Sequence, residues 1–309
     1  MGRYILNRIF SAIITIWFIM TITFFLMHAI PGDPFSASAG NNQSSPEIIA
    51  ALNEKYGLDQ PLYIQYVRYI SNFLHGDLGL SYKRKGVSIT DMIGAGFPYS
   101  GAIGLYASGF VIFTGGLMGI VAALRQNHVS DRIIMVISTL GATIPGFVFA
   151  TMFLYIFSKK LGLVPAFGVP NMKGYIGPVI CVGVFSLSFL TRLMRTSVLD
   201  VLQQDYIRTV RAKGLPEYKV IGKHVLKNSL IPVVTYIGPM IAGIITGSFV
   251  IEKVFGIPGI GYVFTSSILD RDYTIIMGMT VFLATLLVIS VLIVDIVYVL
   301  IDPRIKLND

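Results

Sequence analysis

The chain has 309 residues, of which 54% are hydrophobic and 13% are charged, and its formal net charge is +8. This composition excludes a soluble protein of one or two domains, because too few charged residues are present to cover a water-facing surface. It predicts an all-helical, multi-pass membrane protein. A helix crosses the bilayer core with about 20 apolar residues, and six stretches of that length are present. They cover residues 9–30, 99–124, 133–157, 175–199, 230–251 and 273–301.

Lys and Arg are distributed unevenly between the two sets of connections, and this predicts the orientation of the chain. The set that includes both termini and the loop 200–228 carries fourteen Lys or Arg residues, whereas the two short loops of the other set carry five. Because positively charged loops stay in the cytoplasm, both termini and the loop 200–228 are predicted to be cytoplasmic. The same bias explains the net charge without a nucleic-acid partner.

Residues 1–30 comprise the N-terminus and the first span, for which two interpretations stay open. Arg3 and Arg8 precede an apolar run that is followed by Ala37-Ser38-Ala39, an arrangement similar to a secretory signal peptide. The apolar run is longer than that of a usual signal, and the Ala-x-Ala pattern lies well past its end. These two points favour an uncleaved anchor over a cleaved signal.

Residues 31–98 are predicted to form a small extracytoplasmic subdomain. Pro31-Gly32-Asp33-Pro34 should end the first span. Ser45-Pro46-Glu47 should cap one short helix, and Pro61 should begin a second. The subdomain either covers the outer ends of the spans or provides a docking surface for another protein.

The core 99–301 holds the other five spans, and a cytoplasmic tail, 302–309, follows it. Gly115 with Gly119, and Gly243 with Gly247, have the small-xxx-small spacing of closely packed membrane helices. We expect these glycines to serve packing within the chain. The alternative is that one of these faces packs against a second, similar pore subunit.

Two proline positions inside the spans are predicted to kink their helices. Pro145 is followed by Gly146 in the third span, and Gly238 precedes Pro239 in the fifth. Each proline removes a backbone donor. Kinked spans suit a protein that opens and closes.

Asp295 is an acid inside the sixth span, where a carboxylate requires a partner or a water-lined face. It lies about two turns from the predicted cytoplasmic end. We expect a structural ion pair with Arg192 or Arg195 of the fourth span. A proton-relay acid of a secondary transporter is the alternative.

No motif in the sequence predicts catalysis or a bound cofactor. The single cysteine, Cys181, lies inside the fourth span, and the four histidines are scattered, so we expect no metal site. Gly222-Lys223 is followed by His224 and lacks the spacing of a phosphate-binding loop. A Gly-x-Ser-x-Gly nucleophile elbow is also absent from the sequence. The chain is therefore not expected to be an enzyme, and any ATP hydrolysis must occur on another chain.

The loop 200–228 is predicted to form a helix, a break and a second short helix. Residues 206–213 have helical propensity, Gly214 provides a stop, and Pro216 begins the next helix with Glu217 in its first turn. The loop also contains five apolar residues, too few to form a core. They either rest on the membrane-side bundle or fill a groove of a partner, and a basic helix lying on lipid is a further alternative. These residues are Val210, Leu215, Val220, Ile221 and Val225.

This loop resembles the coupling segment, or EAA loop, of ABC importer permeases. Gly214 matches the glycine of that pattern, although Arg208-Thr209-Val210 replaces the usual Glu-Ala-Ala. The match to the oligopeptide and dipeptide permease branch is closer, and it covers residues 208–215, 224–227 and 230–232. Six further motifs resemble the same branch over almost the whole chain. They are Ala29-Ile30-Pro31-Gly32-Asp33-Pro34, Tyr56-Gly57-Leu58-Asp59-Gln60-Pro61, Gly76-Asp77-Leu78-Gly79, residues 245–252, residues 255–261 and Asp302-Pro303-Arg304.

The resemblance implies a type I ABC importer permease in the bacterial plasma membrane that serves as a pore subunit for oligopeptides. It implies a second homologous permease, two ATP-binding subunits and an extracytoplasmic peptide-binding protein that the outer subdomain faces. Dipeptides, glutathione and nickel chelates are alternative substrates, and an ion-coupled secondary transporter is the alternative class. No residue is assigned to the substrate. The residues implied to contact the ATPase are Arg208, Thr209, Val210, Arg211, Ala212, Lys213, Gly214, Leu215, Pro216, Val220 and His224.

Overall fold

The computed structural model describes residues 2–29, 57, 59–81, 83–84 and 86–301. These residues form helices, with one isolated β-bridge between Leu80 and Ser88 and no strand within the described part. The helices are α1 (Gly2–Ala29), α2 (Leu62–Leu74), α3 (Ile89–Leu124), α4 (Val129–Thr143), α5 (Gly146–Lys160), α6 (Met172–Leu202), α7 (Asp205–Ala212), α8 (Glu217–Ile245), α9 (Phe249–Phe255), α10 (Ile260–Asp270) and α11 (Tyr273–Ile301).

Five of the described helices are long and apolar enough to cross a bilayer, namely α1, α3, α6, α8 and α11. The pair α4 and α5 makes a sixth span if the two helices form one broken span. Three of the described helices contain a π-helical stretch: Val111–Gly115 in α3, Leu154–Lys160 in α5 and Val220–Val225 in α8. The all-helical, multi-pass prediction is confirmed.

The third predicted span is broken. Its two halves, α4 and α5, are bent by 111°, where a single kinked helix over 133–157 was expected. Ile144 and Pro145 both have extended backbones, with ψ of 124° and 135°. The ring of a proline disfavours helical geometry in the preceding residue, and the missing N–H ends the hydrogen-bond ladder. Pro145 therefore separates two helices, and Gly146 is the first residue of the second.

The fifth span differs from its predicted bounds, 230–251. Helix α8 begins at Glu217, continues through Gly238 and Pro239, and ends at Ile245. The predicted kink at Gly238-Pro239 stays a prediction. The chain then turns at Gly247, whose φ of 96° favours glycine, and α9 follows.

The described residues fall into two compact units, and the first comprises residues 2–100 and 258–296. In it, the Thr21 and Tyr66 hydroxyls join α1 to α2 at 2.7 Å. Buried Asp272 accepts a hydrogen bond from Ser81, which ties the hairpin before α3 to the start of α11. Pro61 precedes α2 as predicted. The other predicted outer helix, with Ser45 at its start, and Ala37-Ser38-Ala39 lie outside the described residues.

The second unit comprises residues 101–257 and 297–301 of the described chain and is organised around α6. Leu190, Met194 and Val198 of α6 are fully or almost fully buried in its hydrophobic core. A Cβ placed on Gly119 would lie 2.6 Å from Met194 Cβ, so the Gly115/Gly119 face packs within the chain, as expected. A Cβ on Gly243 would meet no atom within 4 Å.

The ion pairs predicted for Asp295 are wrong. Asp295 pairs with Arg8 of α1, at 3.2 Å, within the first unit. Arg195 pairs with Asp131 of α4, at 2.7 Å, within the second unit. Arg192 forms no ion pair with Asp295 in the part of the chain that the structure describes. The positions of Arg192 and Arg195 in the sequence were compatible with an ion pair to Asp295, but the sequence does not show which helix faces Asp295.

Candidate functional site

The loop predicted to contact a partner forms a helix, a tight turn and the first turns of α8; residues 205–228 are called the coupling segment below. Helix α7 ends at Ala212, with Lys213 as its C-terminal cap. Gly214 follows with φ of 76°, and its N–H donates to the Arg211 carbonyl at 2.9 Å. This left-handed conformation is strained for residues with a Cβ. The predicted glycine break is confirmed.

Pro216 begins the second arm of the coupling segment. It precedes the first helical residue, Glu217, and its carbonyl accepts the N–H groups of Lys219 and Val220. The second arm differs from the prediction, because it is no separate short helix. It continues through the π-helical stretch Val220–Val225 into the rest of α8. The turn is therefore joined directly to a predicted membrane span.

An ion pair closes the turn. Arg211 Nη2 lies 2.6 Å from Glu217 Oε1, and Arg211 Nε lies 3.3 Å from Glu217 Oε2. The two side chains are 44% and 54% exposed. An exposed pair of this kind contributes at most about 1 kcal/mol, so it orients the two arms more than it stabilises them. The Tyr206 hydroxyl adds a contact, accepting from Asn228 Nδ2 at 2.7 Å.

The underside of the coupling segment belongs to the core of the second unit. Ile207, Val220 and Val225 are fully buried, and Val210 and Leu215 pack against the same cluster. Fully burying one such side chain contributes about 1.5–3 kcal/mol. Val220 and Val225 therefore rest on the chain's own bundle and are not free to fill a groove of a partner, and Val210 and Leu215 pack partly against the same bundle. Ile221 is half-buried and outside this cluster, so for Ile221 both alternatives stay open.

The upper face of the coupling segment is exposed. Asp205, Arg208 and Tyr218 are highly exposed, with 96% of the Asp205 side chain, 76% of the Arg208 side chain and 71% of Tyr218 accessible. The segment contains six Lys or Arg residues and two acids, so this face is basic. Among the predicted contact residues, those on the exposed face are Arg208, Thr209, Arg211, Ala212, Lys213, Gly214 and Pro216. Val210, Leu215 and His224 are half-buried, and Val220 is buried.

Sequence reasoning missed one residue of the coupling segment and one ion pair elsewhere in the second unit. Ile207 was not counted among the apolar residues, although its spacing of three from Val210 places both on one face of α7. Asp131 was also missed, and it holds Arg195 of α6. An acid near the start of a helix, as Asp131 is in α4, was the available signal.

Among the described residues, no group of three or more His, Cys, Asp or Glu side chains could hold a metal ion. Cys181 is buried and free. The exposed face of the coupling segment instead offers flexible cations, a tyrosine ring and an open glycine. These groups suit contact with another protein.

Comparisons with known proteins agree with this arrangement. A family model described as a binding-protein-dependent transport system inner membrane component matches residues 115–307. A second, described as the N-terminal part of the membrane component of a binding-protein-dependent transport system, matches residues 1–99. Together these two models cover almost the whole chain.

Curated relatives match over the full length. The chain is 42% identical to the dipeptide transport system permease protein DppB of Bacillus subtilis (strain 168), over 100% of this chain and 99% of the relative. It is 41% identical to the oligopeptide transport system permease protein OppB of Haemophilus influenzae, over 99% of this chain and 100% of the relative. The OppB protein of Escherichia coli (strain K12) is 38% identical over the same shares.

A chain of the MetNI methionine ABC transporter, solved in inward-facing conformations, has a similar structure, with a TM-score of 0.55 and 17% identity. The match covers 68% of this chain and 94% of that chain, and at this identity it shows the fold alone. The chain belongs to the binding-protein-dependent transport system inner membrane components, in the oligopeptide and dipeptide permease branch, and is a multi-pass protein of the bacterial plasma membrane with the type I ABC importer permease fold.

Proposed function

We propose that this chain is one of two homologous pore subunits of an ATP-driven importer that passes short peptides into the cytoplasm. Its partners are a second permease chain, two ATP-binding cassette subunits and an extracytoplasmic peptide-binding protein. The chain itself holds no cofactor, and ATP is bound and hydrolysed by the partner subunits. Full-length similarity to relatives named as dipeptide and oligopeptide permeases supports this substrate class.

The observation that carries the proposal is the division of the coupling segment into a buried underside and an exposed basic face. Ile207, Val220 and Val225 anchor the segment in the core that α6 forms. A protein that presses on the exposed face therefore displaces this core directly. Helix α8 is 29 residues long, which corresponds to about 40 Å. It extends the displacement through the predicted membrane span.

Reconstitution tests this function. The complex is assembled in liposomes with its ATPase subunits and binding protein, and uptake of a labelled tetrapeptide is measured. We expect uptake only with ATP on the cytoplasmic side, and the ATPase subunits should copurify with the tagged chain. Uptake that follows an ion gradient without ATP, from a chain that purifies alone, would instead identify a secondary transporter.

Peptide length is tested by competition in the same assay. The Bacillus subtilis and Haemophilus influenzae relatives are named for dipeptides and for oligopeptides, at 42% and 41% identity, so similarity alone does not favour one peptide length over the other. Unlabelled di-, tri-, tetra- and pentapeptides are compared at equal concentration. Competition by glutathione or a nickel chelate, with none by peptides, would contradict a peptide importer.

The proposed orientation places the coupling segment in the cytoplasm. Cys181 is buried, so it should react slowly with a membrane-impermeant thiol reagent and serve as the background. Lys213→Cys adds one exposed thiol on the coupling segment. It should be labelled in inside-out vesicles and not in intact cells, whereas Met172→Cys should show the reverse. Equal labelling from the two sides would contradict the orientation.

A further inference from the structure

A cavity of about 330 Å³ with both apolar and polar lining lies in the first unit, among the last turn of α1, helix α2, the loop after it and the first turns of α11. It belongs to the end of α1 that the sequence predicts to face outward, and it includes no residue of the coupling segment. Its polar lining residues are His28, Gln65, Arg68, Tyr69, Asn72, Asp77 and Thr274. Cavities of a few hundred Å³ with a few convergent polar groups are typical of small-molecule sites.

The cavity is lined by one cation and one anion that do not neutralise each other. Neither Arg68 nor Asp77 forms an ion pair within the part of the chain that the structure describes. Asp77 Oδ1 accepts the Gly79 N–H at 2.8 Å, and Asp77 Oδ2 has no hydrogen bond to a described residue. One guanidinium and one carboxylate oxygen therefore remain available to a ligand.

Backbone geometry holds these two charges in place. Gly57 has φ of 70°, and a Cβ at this position would collide with Arg68 Nη1, so the guanidinium lies directly against the glycine. Asp77 lies between two glycines of positive φ, Gly76 and Gly79, and its N–H donates to the Asn72 carbonyl at 2.9 Å. The motifs around Gly57 and Asp77 thus meet at one cavity, and the coupling function uses neither of them.

Uncharged groups complete the lining. The Tyr69 hydroxyl is buried and has no hydrogen-bond partner among the described residues. Burial raises the pKa of this hydroxyl, which keeps it a neutral donor. The Tyr69 ring packs 5.6 Å from that of Phe24. Asn72 contributes an amide group, whose donors and acceptor match those of a peptide backbone. The Gln65 amide already donates to the Gln60 carbonyl at 2.8 Å and contacts His28 Nε2 at 3.1 Å.

We propose that this cavity binds a short zwitterionic peptide, with Arg68 on its carboxylate and Asp77 on its ammonium group. The choice of a peptide rests on the proposed function. A simple anion would meet the Asp77 carboxylate, and a simple cation would meet the Arg68 guanidinium, so opposite charges on one ligand fit best. A guanidinium binds a carboxylate through two parallel hydrogen bonds. The Asn72 amide and the Tyr69 phenol favour a peptide over the headgroup of a zwitterionic lipid, which lacks amide groups.

Equilibrium binding of labelled trialanine tests the proposal. The purified complex is placed in nanodiscs of phosphatidylcholine and phosphatidylglycerol, without its binding protein. Trialanine is compared with its C-terminal amide and with its N-acetyl form. In the unmodified complex, each blocked form should bind at least about tenfold more weakly, because a charge-assisted contact is lost.

Two variants assign the contacts. With Arg68→Gln, amidation of the ligand should cause no further loss, whereas acetylation should still weaken binding. With Asp77→Asn, acetylation of the ligand should cause no further loss, whereas amidation should still weaken binding. Arg84→Gln removes an exposed cation outside the cavity and should leave both effects unchanged. Arg68→Lys keeps the charge, and it should retain most of the amidation effect if Arg68→Gln fails to fold.

Three outcomes would overturn the site: no saturable binding of trialanine, the same ligand effects in the variants as in the unmodified complex, or displacement by glycerophosphoethanolamine as effective as by trialanine. The last result would identify a lipid-headgroup site. Failure of the proposed function is a separate result. It would appear as absent ATP-dependent uptake when the binding protein is present, whatever the nanodiscs bind.

Discussion

Asp131 accepts two hydrogen bonds from Arg195, at 2.7 Å from Nε to Oδ1 and at 2.8 Å from Nη2 to Oδ2. The side chains are 4% and 21% exposed. The Asn127 N–H also donates to Asp131 Oδ2, at 2.9 Å. This pair ties the start of α4 to α6, the helix at the centre of the second unit.

Removing the Asp131 charge should destabilise the protein strongly. Asp131→Asn leaves the Arg195 guanidinium largely buried without a counter-charge, and breaking a buried pair on one side costs about 3–5 kcal/mol. Thermal unfolding of the purified complex measures this loss. The double variant Asp131→Leu/Arg195→Met should lose less than the sum of the two single variants. Asp200→Asn, an exposed acid on α6, is the control, and an equal loss there would contradict the assignment.

Alanine substitutions at two neighbouring glycines of α3 should have opposite effects on the stability of the protein. A Cβ at Gly119 would lie 2.6 Å from Met194 Cβ and 2.7 Å from the Thr191 carbonyl oxygen, whereas a Cβ at Gly116 would meet nothing within 4 Å. Gly119→Ala should therefore force α3 away from α6 and cost about 1–3 kcal/mol. Gly116→Ala should be neutral or stabilise by up to about 1 kcal/mol. Similar unfolding temperatures for the two variants would show that the α3–α6 contact adjusts freely.

Local sequence signals predicted much of this structure. The apolar runs predicted α1, α6 and α11 to within a few residues at most ends, because a membrane span needs a long apolar run. The break at Gly214 was predictable because it is local, since one glycine and one proline determine it. The 111° bend at Pro145 was underestimated, because a proline can either kink a helix or end it, and the surrounding packing decides between the two.

Pairings between distant helices were not predictable. The sequence shows that Asp295 needs a partner, but Arg8, Arg192 and Arg195 were all compatible with the predicted cytoplasmic side. The rotation and neighbours of each helix decide among them. The underside of the coupling segment was undecided for the same reason, because Val220 and Val225 are buried by residues far away in the sequence.

Alanine at Gly214 should weaken the turn of the coupling segment. The φ of 76° at this residue costs a residue with a Cβ about 1–2 kcal/mol, although a Cβ there would meet no atom within 4 Å. Gly214→Ala should therefore speed amide hydrogen exchange in α7. Gly214→Asn should do so less, because asparagine tolerates this conformation better.

Gly222 provides the matched control for this turn. A Cβ there would also have open space, but its φ is not positive. Gly222→Ala should leave exchange in α7 unchanged. If Gly214→Ala and Gly222→Ala changed exchange equally, backbone strain at Gly214 would not be the cause.

A bulky residue at Ala212 should uncouple transport without unfolding the chain. Ala212 is exposed at the end of α7, so Ala212→Trp has room in the free chain. It should obstruct only a protein that docks on this face. We expect an unfolding temperature within a few degrees of the unmodified chain, less ATPase subunit in the purified complex, and at least tenfold lower peptide uptake. Met172→Trp, at a residue 66% exposed and predicted to lie on the opposite side of the membrane, is the control. Normal uptake with Ala212→Trp would show that the ATPase does not contact this end of α7.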